Sequence, residues 1–283
     1  MTLSDKYHLP VEAMRNREQY PDAAFHSHSH YEIYYFHGGS CTYLIGGRIW
    51  TLAPGDLILM HGMTLHSPKI DCRQPYDRTI VHFEPSFVSG MMRPPFTLNL
   101  LAPFQELGNT RLRLQGADKE HIEALLDTLC HLYQREDSLA YNRFLIVFLD
   151  LLHTIYELCA DREPQIAEPA GVKEQNVQKI AAYIEANYMQ DIHLDKLERE
   201  LHLNRFYMTK IFKEVTGFTI FNFLYHRRIN QAKILFLLDA GKTVTEACYE
   251  TGFKHPSHFT RAFKAFAGMT PEAYKKTLPR QRP

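Results

Sequence analysis

Residues 208–219 read MTKIFKEVTGFT, and residues 259–270 read FTRAFKAFAGMT. Set 51 residues apart, they pair Phe212 with Phe263, Lys213 with Lys264, Gly217 with Gly268 and Thr219 with Thr270. Thr209 also meets Thr260, and the basic Lys210 meets Arg261. A match kept at one offset marks a duplicated unit.

Each copy follows another short helical stretch. In LDKLERELHLNRFYMTKIFKEV (194–215) the pattern breaks around His202–Asn204, and Asn204 is a natural N-cap. In TVTEACYETGFKHPSHFTRAFKAF (243–266) Thr243 and Glu246 have capping-box spacing, Gly252 supplies the turn, and Pro256 suits the next helix's first turn. Helix, short turn, helix is the helix-turn-helix plan. In the second helix of the first unit, Met208, Ile211, Phe212 and Val215 form the buried stripe, leaving Arg205, Phe206, Thr209, Lys210 and Lys213 outward. In the second unit Phe259, Phe263 and Phe266 turn in, leaving Ser257, His258, Thr260, Arg261 and Lys264 outward. Most charged helix faces are merely solvated. Two copies, basic in the same place, favour base edges and phosphates instead. One helix from about Thr219 to Asp239 joins the units, spanning about 30 Å at ~1.5 Å per residue. That is close to one DNA turn of ~34 Å, so both helices fit successive major grooves.

Residues 177–278 resemble the tandem helix-turn-helix domain of AraC/XylS-family transcription regulators. The resemblance rests on HLDKLERELHLNRFYMTKIFKEVTGFTIFNFLYHRRINQAKILF and TVTEACYETGFKHPSHFTRAFKAFAGMTPEAYKK. His193 and Asn204 stand where Ser or Thr is common, and His255–Pro256 replaces a polar pair. The resemblance implies that the ten outward residues contact double-stranded DNA under control of the front half, and that RNA polymerase is a further partner.

Charge divides the same way. Residues 1–172 carry 14 Lys and Arg against 21 Asp and Glu, a net −7; residues 173–283 carry 18 against 11, a net +7. A basic back half suits a polyanion. The five cysteines are widely spaced, the opening MTLSDKYHLP has no apolar signal core, and FLIVFL (144–149) is too short to span a bilayer. These features predict a cytoplasmic protein with no membrane partner.

The front half begins with FHSHSHYEIYYF (25–36). YEIYYF, CTYLI, RIWTL, DLILM and TIVHF read as short strands between turn signals, the pattern of a small barrel or sandwich. His26, His28, His30 and Glu32 share one parity, hence one strand face. His26-x-His28, Glu32 and Gly39 resemble the first cupin motif, and LAPGDLILMHGMTLHSP (52–68), closing at His66, resembles the second. His61 stands in place of a usual proline. In cupin enzymes the residues matching His26, His28, Glu32 and His66 would hold a divalent metal. In AraC-like sensors the barrel takes an organic effector, often a sugar. A polar barrel mouth with no ligand is the third reading. The expected effector-facing set is His26, His28, Glu32, Tyr34, Tyr43, Arg48, Trp50 and His66, although each aromatic alone suits barrel packing.

Residues 117–160 turn helical. Ile122, Leu125, Leu126, Leu129, Leu132 and Tyr133 make one apolar stripe, and Tyr141–Cys159 is apolar nearly all round. Such a helix is either sandwiched within the chain or half of a dimer seam. DREPQIAEPAGVK (161–173) reads as a linker.

The expected architecture is a two-domain α+β chain: a cupin-like β-barrel with a helical subdomain, then an all-α tandem helix-turn-helix domain. The expected units are a barrel over 1–95, a dimerising or linking helical region over 96–160, the linker over 161–173 and the DNA-binding domain over 174–283. The function expected is a DNA-binding transcription regulator, a homodimer and an activator, with no enzymatic activity and no resident cofactor, sensing a small molecule such as a carbohydrate. The alternative is a metal sensor or a metal-dependent cupin enzyme built on His26, His28, Glu32 and His66.

Overall fold

The computed structural model of the chain describes residues 9–17, 25–92, 95–135, 137–160 and 171–278. Its strands are Val11–Asn16 (β1), Tyr31–Gly38 (β2), Cys41–Ile45 (β3), Arg48–Thr51 (β4), Asp56–Met60 (β5), His66–Ile70 (β6), Asp77–Phe83 (β7) and Thr110–Arg113 (β8). They form a five-stranded sheet, β1-β7-β2-β5-β8, and a three-stranded sheet, β4-β3-β6, with antiparallel pairing throughout. The alternation of β2 sorts its side chains. Tyr34 and Phe36 point between the sheets, into a cluster with Cys41, Tyr43, Ile45, Trp50, Ile58, Met60 and Tyr76. Tyr31, Ile33 and Tyr35 face the other way, toward the helices.

Those helices are Pro85–Met91 (α1), Ala102–Glu106 (α2), Gly116–Tyr133 (α3) and Ser138–Ala160 (α4). The α3 stripe of Ile122, Leu125, Leu126, Leu129 and Leu132 is buried as the periodicity predicts. Phe144, Phe148, Leu151, Leu152 and Ile155 of α4 are buried in the same core as the outer sheet face. The apolar girth of α4 is therefore largely consumed within the chain, although Leu139 and Ile146 stay exposed. Residues 96–160 are not purely helical: β8 pairs with β5, so a strand from beyond residue 95 completes the large sheet. Asp56, fully buried, ties this strand in through Arg111 at 2.9 Å and Arg113 at 3.2 Å. The expected linker lies mostly over residues 161–170, outside the described residues. Its end differs from expectation, because helix has already begun at Val172.

The back half contains Val172–Asn187 (α5), Leu194–Leu201 (α6), Arg205–Thr216 (α7), Ile220–Leu238 (α8), Val244–Glu250 (α9), Pro256–Ala267 (α10) and Pro271–Thr277 (α11). Shifting α7 by the repeat offset gives the bounds of α10. Both helices end at a left-handed glycine, Gly217 at φ 85° and Gly268 at φ 75°. Thr219 and Thr270 then cap α8 and α11 with their hydroxyls. Asn204 caps α7 and the Thr243–Glu246 capping box opens α9, as expected. Phe266, expected inside, is only half-buried, stacked on Tyr225 and tilted against His226.

The two halves share a core. Phe25, Leu44, Ile49 and Leu65 are buried together with Val177, Ile180, Ile184, Phe223 and Leu224. Gln178 of α5 pairs with the backbone at the start of β4: it accepts from Ile49 N at 2.8 Å and donates to Gly47 O at 2.8 Å.

Candidate functional site: a histidine cluster and two helix faces

At one end of the sheets, Phe25–His28 runs back over β6, with His26 and His66 exchanging backbone hydrogen bonds of 3.2 and 3.1 Å. This brings His26, His28 and His66 together, with ring centroids 4.1 Å apart for His26 and His66 and 5.4 Å for His28 and His66. Glu32, 2% exposed on the inner face of β2, sits beneath them. Its Oε2 receives His28 Nε2 at 3.1 Å and His82 Nε2 at 3.1 Å, and lies 3.6 Å from His66 Nε2. Burial alone would push the Glu32 carboxyl up, but hydrogen bonds from His28 and His82 hold it far below the usual carboxylate range. Burial would lower His28, but the Glu32 carboxylate outweighs it and raises the imidazole. Burial brings His66 down to about 4.

The structure thus brings four of the eight expected effector-facing residues into one cluster. Of the other four, Tyr43 borders the cluster, edge-on to His66 with ring centroids 6.1 Å apart. Tyr34, Tyr43 and Trp50 are 1%, 3% and 5% exposed and pack in the cluster between the sheets. Tyr34 shares a 2.7 Å hydrogen bond with the Tyr76 hydroxyl and packs edge-on against Tyr43. These three are packed as barrel core, the role that each aromatic alone also suited. Arg48 is exposed at the start of β4, outside the buried cluster. His82 was missed. Its strand pairs with β2 so that His82 stands opposite Glu32, a register that the sequence of one strand alone does not reveal.

On the other half, α7 and α10 each present an exposed face. Arg205, Phe206, Lys210 and Lys213 are exposed on α7, and Ser257, Arg261 and Lys264 on α10. Thr209 and Thr260 are half-buried, and Thr209 returns its hydroxyl to the Arg205 and Phe206 carbonyls. His258 is also half-buried, edge-on to Tyr225 and Phe253 at 5.5 Å each, so packing claims much of it. Arg205 is ion-paired with Asp195 at 3.0 Å. The buried Arg228 of α8 donates to the Tyr188 and Gln190 carbonyls at 2.7 and 2.8 Å, locking the joining helix to the end of α5.

Two families match the chain: the AraC-like ligand binding domain over residues 8–149 and a helix-turn-helix domain over residues 197–277. The chain belongs to the AraC family of transcription regulators. One relative is an HTH-type transcriptional regulator in the cgkA 5′ region of Pseudoalteromonas carrageenovora, 38% identical over 40% of this chain and 66% of its own length. Another, the melibiose operon regulatory protein of Escherichia coli, is 28% identical over 38% of this chain and 35% of its own. An HTH-type regulator of Staphylococcus aureus is matched over 14% of its length, so the chain spans less than two thirds of the first relatives. Among solved structures, ToxT from Vibrio cholerae O395 aligns over 96% of this chain and 99% of its own at 13% identity and a TM-score of 0.38. No described helix of this AraC-family chain is long and apolar enough to cross a membrane.

Proposed function

We propose that the chain binds double-stranded DNA through the exposed faces of α7 and α10, and that a small effector at the histidine cluster controls that binding. The observation that carries this reading is the two-faced stretch Phe25–His28. His26 and His28 belong to the cluster. Phe25, between the halves, packs on Phe218, His226 and Phe223 with centroids 4.2, 4.9 and 5.6 Å away. Ser27 donates to Asn230 Oδ1 at 2.5 Å, and Asn230 Nδ2 donates to the Met63 carbonyl at 2.8 Å, in the loop leading to His66. A ligand that moves the His26–His66 backbone pair therefore moves the seat of α8, the helix that sets the spacing of the two recognition helices. Such a ligand acts by favouring one seating over another, which requires different affinity for the two.

A carbohydrate is the organic effector to test first. Imidazoles and a carboxylate suit sugar hydroxyls, and one relative is named for the melibiose operon. A homodimer, contact with RNA polymerase and a role as activator complete the reading; exposed Leu139 and Ile146 are what support α4 as the dimer surface. The test measures DNA binding of the full chain across salt, with and without a panel of sugars. Salt-steep binding shifted by one sugar, and not shifted in Asn230→Ala, supports the reading. DNA binding that ignores every sugar removes the carbohydrate, and absence of DNA binding removes the reading.

A further inference from the structure

The two helix-turn-helix units have separate apolar cores. Leu197, Phe212 and Leu224 belong to one buried cluster, and Ile229, Phe253 and Phe263 to another. The joining helix α8 passes from the first core at Leu224 to the second at Ile229. Arg228 stands at that crossing, 7% exposed. Its Nε donates to the Tyr188 carbonyl at 2.7 Å and its Nη2 to the Gln190 carbonyl at 2.8 Å, both at the C-terminal end of α5. A buried cation is costly unless its donors are taken, so these carbonyls, at the negative end of a helix, fix where the guanidinium can sit. The same short loop touches both units. Lys196 of the first unit donates to Gln190 Oε1 at 2.8 Å. In the second unit, the turn before α10 presses on the loop: a Cβ on Gly252 would lie 2.6 Å from the Met189 carbonyl oxygen. Lys254 of that turn donates to Asp191, whose carboxylate also holds His193, the N-cap residue of α6, at 3.0 Å. Phe253 lies beneath the Arg228 guanidinium, 5.5 Å away, and meets Phe259 of α10 edge-on at 5.2 Å.

We propose that Arg228 is a positioning residue for DNA binding: clamped to the Tyr188–Asp191 loop, it sets the angle between α7 and α10, and hence the single half-site spacing that the chain accepts. The length of α8 fixes how far apart the two units stand along its axis. It does not fix their rotation about that axis, because each unit is held to α8 by apolar packing, which is not directional. Hydrogen bonds are directional, and a planar guanidinium presents its donors in a rigid fork. Arg228 therefore ties the rotation of α8 to a loop on which the first unit and the turn before α10 both rest. The angle matters because one base pair turns the duplex by about 35°, so a recognition helix rotated by that much meets the wrong part of its groove.

The inference rests on the reading of α7 and α10 as the DNA-contacting helices, but its first measurement needs no DNA. Spin labels on non-natural side chains at Lys213 and Lys264, exposed and equivalent positions of α7 and α10, report the distance between the two helices in the full chain. The parent should give one narrow distribution. Arg228→Met, of similar reach but without a donor, should at least double its width. Asp191→Ala, exposed and outside both cores, should widen it too and takes the place of Arg228→Met if that variant does not fold. Arg228→Lys keeps a donor for the carbonyls and should stay near the parent. The second measurement uses DNA selected from a random-sequence pool, with one base pair then inserted between the half-sites. The insertion should weaken the parent at least tenfold and Arg228→Met less than threefold. A variant that is merely less stable would lose affinity for both DNAs alike and keep the parent's ratio. A parent-like width in Arg228→Met, or in Asp191→Ala where Arg228→Met does not fold, overturns the proposal. So does an Arg228→Lys as wide as Arg228→Met, or a spacing penalty that Arg228→Met keeps in full. If the parent binds no DNA, the regulator reading falls and the label distances alone decide whether Arg228 sets the angle.

Discussion

His226 shows how one residue's chemistry carries into stability. It lies between Phe25 of the barrel half and Phe266 of α10, and burial, helped by Lys233, lowers it to about 4. The unfolded chain, with a histidine near 6.5, takes up the proton first as the pH falls. The folded state's advantage is therefore full above about pH 6.5 and drains away between 6.5 and 4. Going from pH 7 to 5 should remove about 2 kcal/mol of stability through this one side chain. In His226→Leu, denaturant unfolding at the two pH values should show that much less loss; an unchanged loss would mean the ring is solvated. His66, also near 4, slopes the same way in the parent and the variant. At this scale the sequence was partly legible. The His26–His28–Glu32–His66 grouping was readable from motif spacing and not from strand parity, because His26–His30 precede β2 and run back over β6. His82 was not, because only strand register brings it opposite Glu32. Tyr34, Tyr43 and Trp50 fell on the ligand side because an aromatic lining a pocket and one filling a barrel read alike in a strand.

Among the elements, the duplicated units differ at their turns. His202 closes α6 in the left-handed region at φ 53°, where a side chain is disfavoured. Gly252 occupies the corresponding turn at φ 85°, and a Cβ there would lie 2.6 Å from the Met189 carbonyl oxygen. Gly217 has the same φ with open space around it. Gly252→Ala should therefore cost on the order of 3 kcal/mol, and Gly217→Ala only about 1. Equal melting temperatures for the two would contradict the tight seating of the second unit on the end of α5. On the recognition helices, Lys210→Ala and Arg261→Ala should each weaken DNA binding about tenfold and flatten its salt dependence by roughly one ion. Unchanged affinity in both would move the DNA face elsewhere. The back-half elements were legible because caps, αL glycines and the repeat are all local signals. β1, β6 and β8 were not: HSPKI and TRLR are short and polar, and their pairing partners lie far away in sequence.

Across the whole molecule, the contact between halves was the least legible feature. Ile49 and Leu44 look like ordinary strand residues, and only the assembled structure places them against α5 and α8. In the proposed reading that contact carries a ligand's effect from one half to the other through Phe25, which lies directly beside His26 in the chain. Truncating Phe25 removes the ring that seats α8 without touching either the cluster or the DNA faces. The most direct test is the affinity of the full chain for DNA selected from a random-sequence pool, measured across salt for the parent and for Phe25→Ala. Salt-steep binding by both, with Phe25→Ala shifted at least fivefold, would show that the barrel half governs the DNA-binding half through this seat. Identical affinities would contradict it, leaving two modules that share a chain and not a signal.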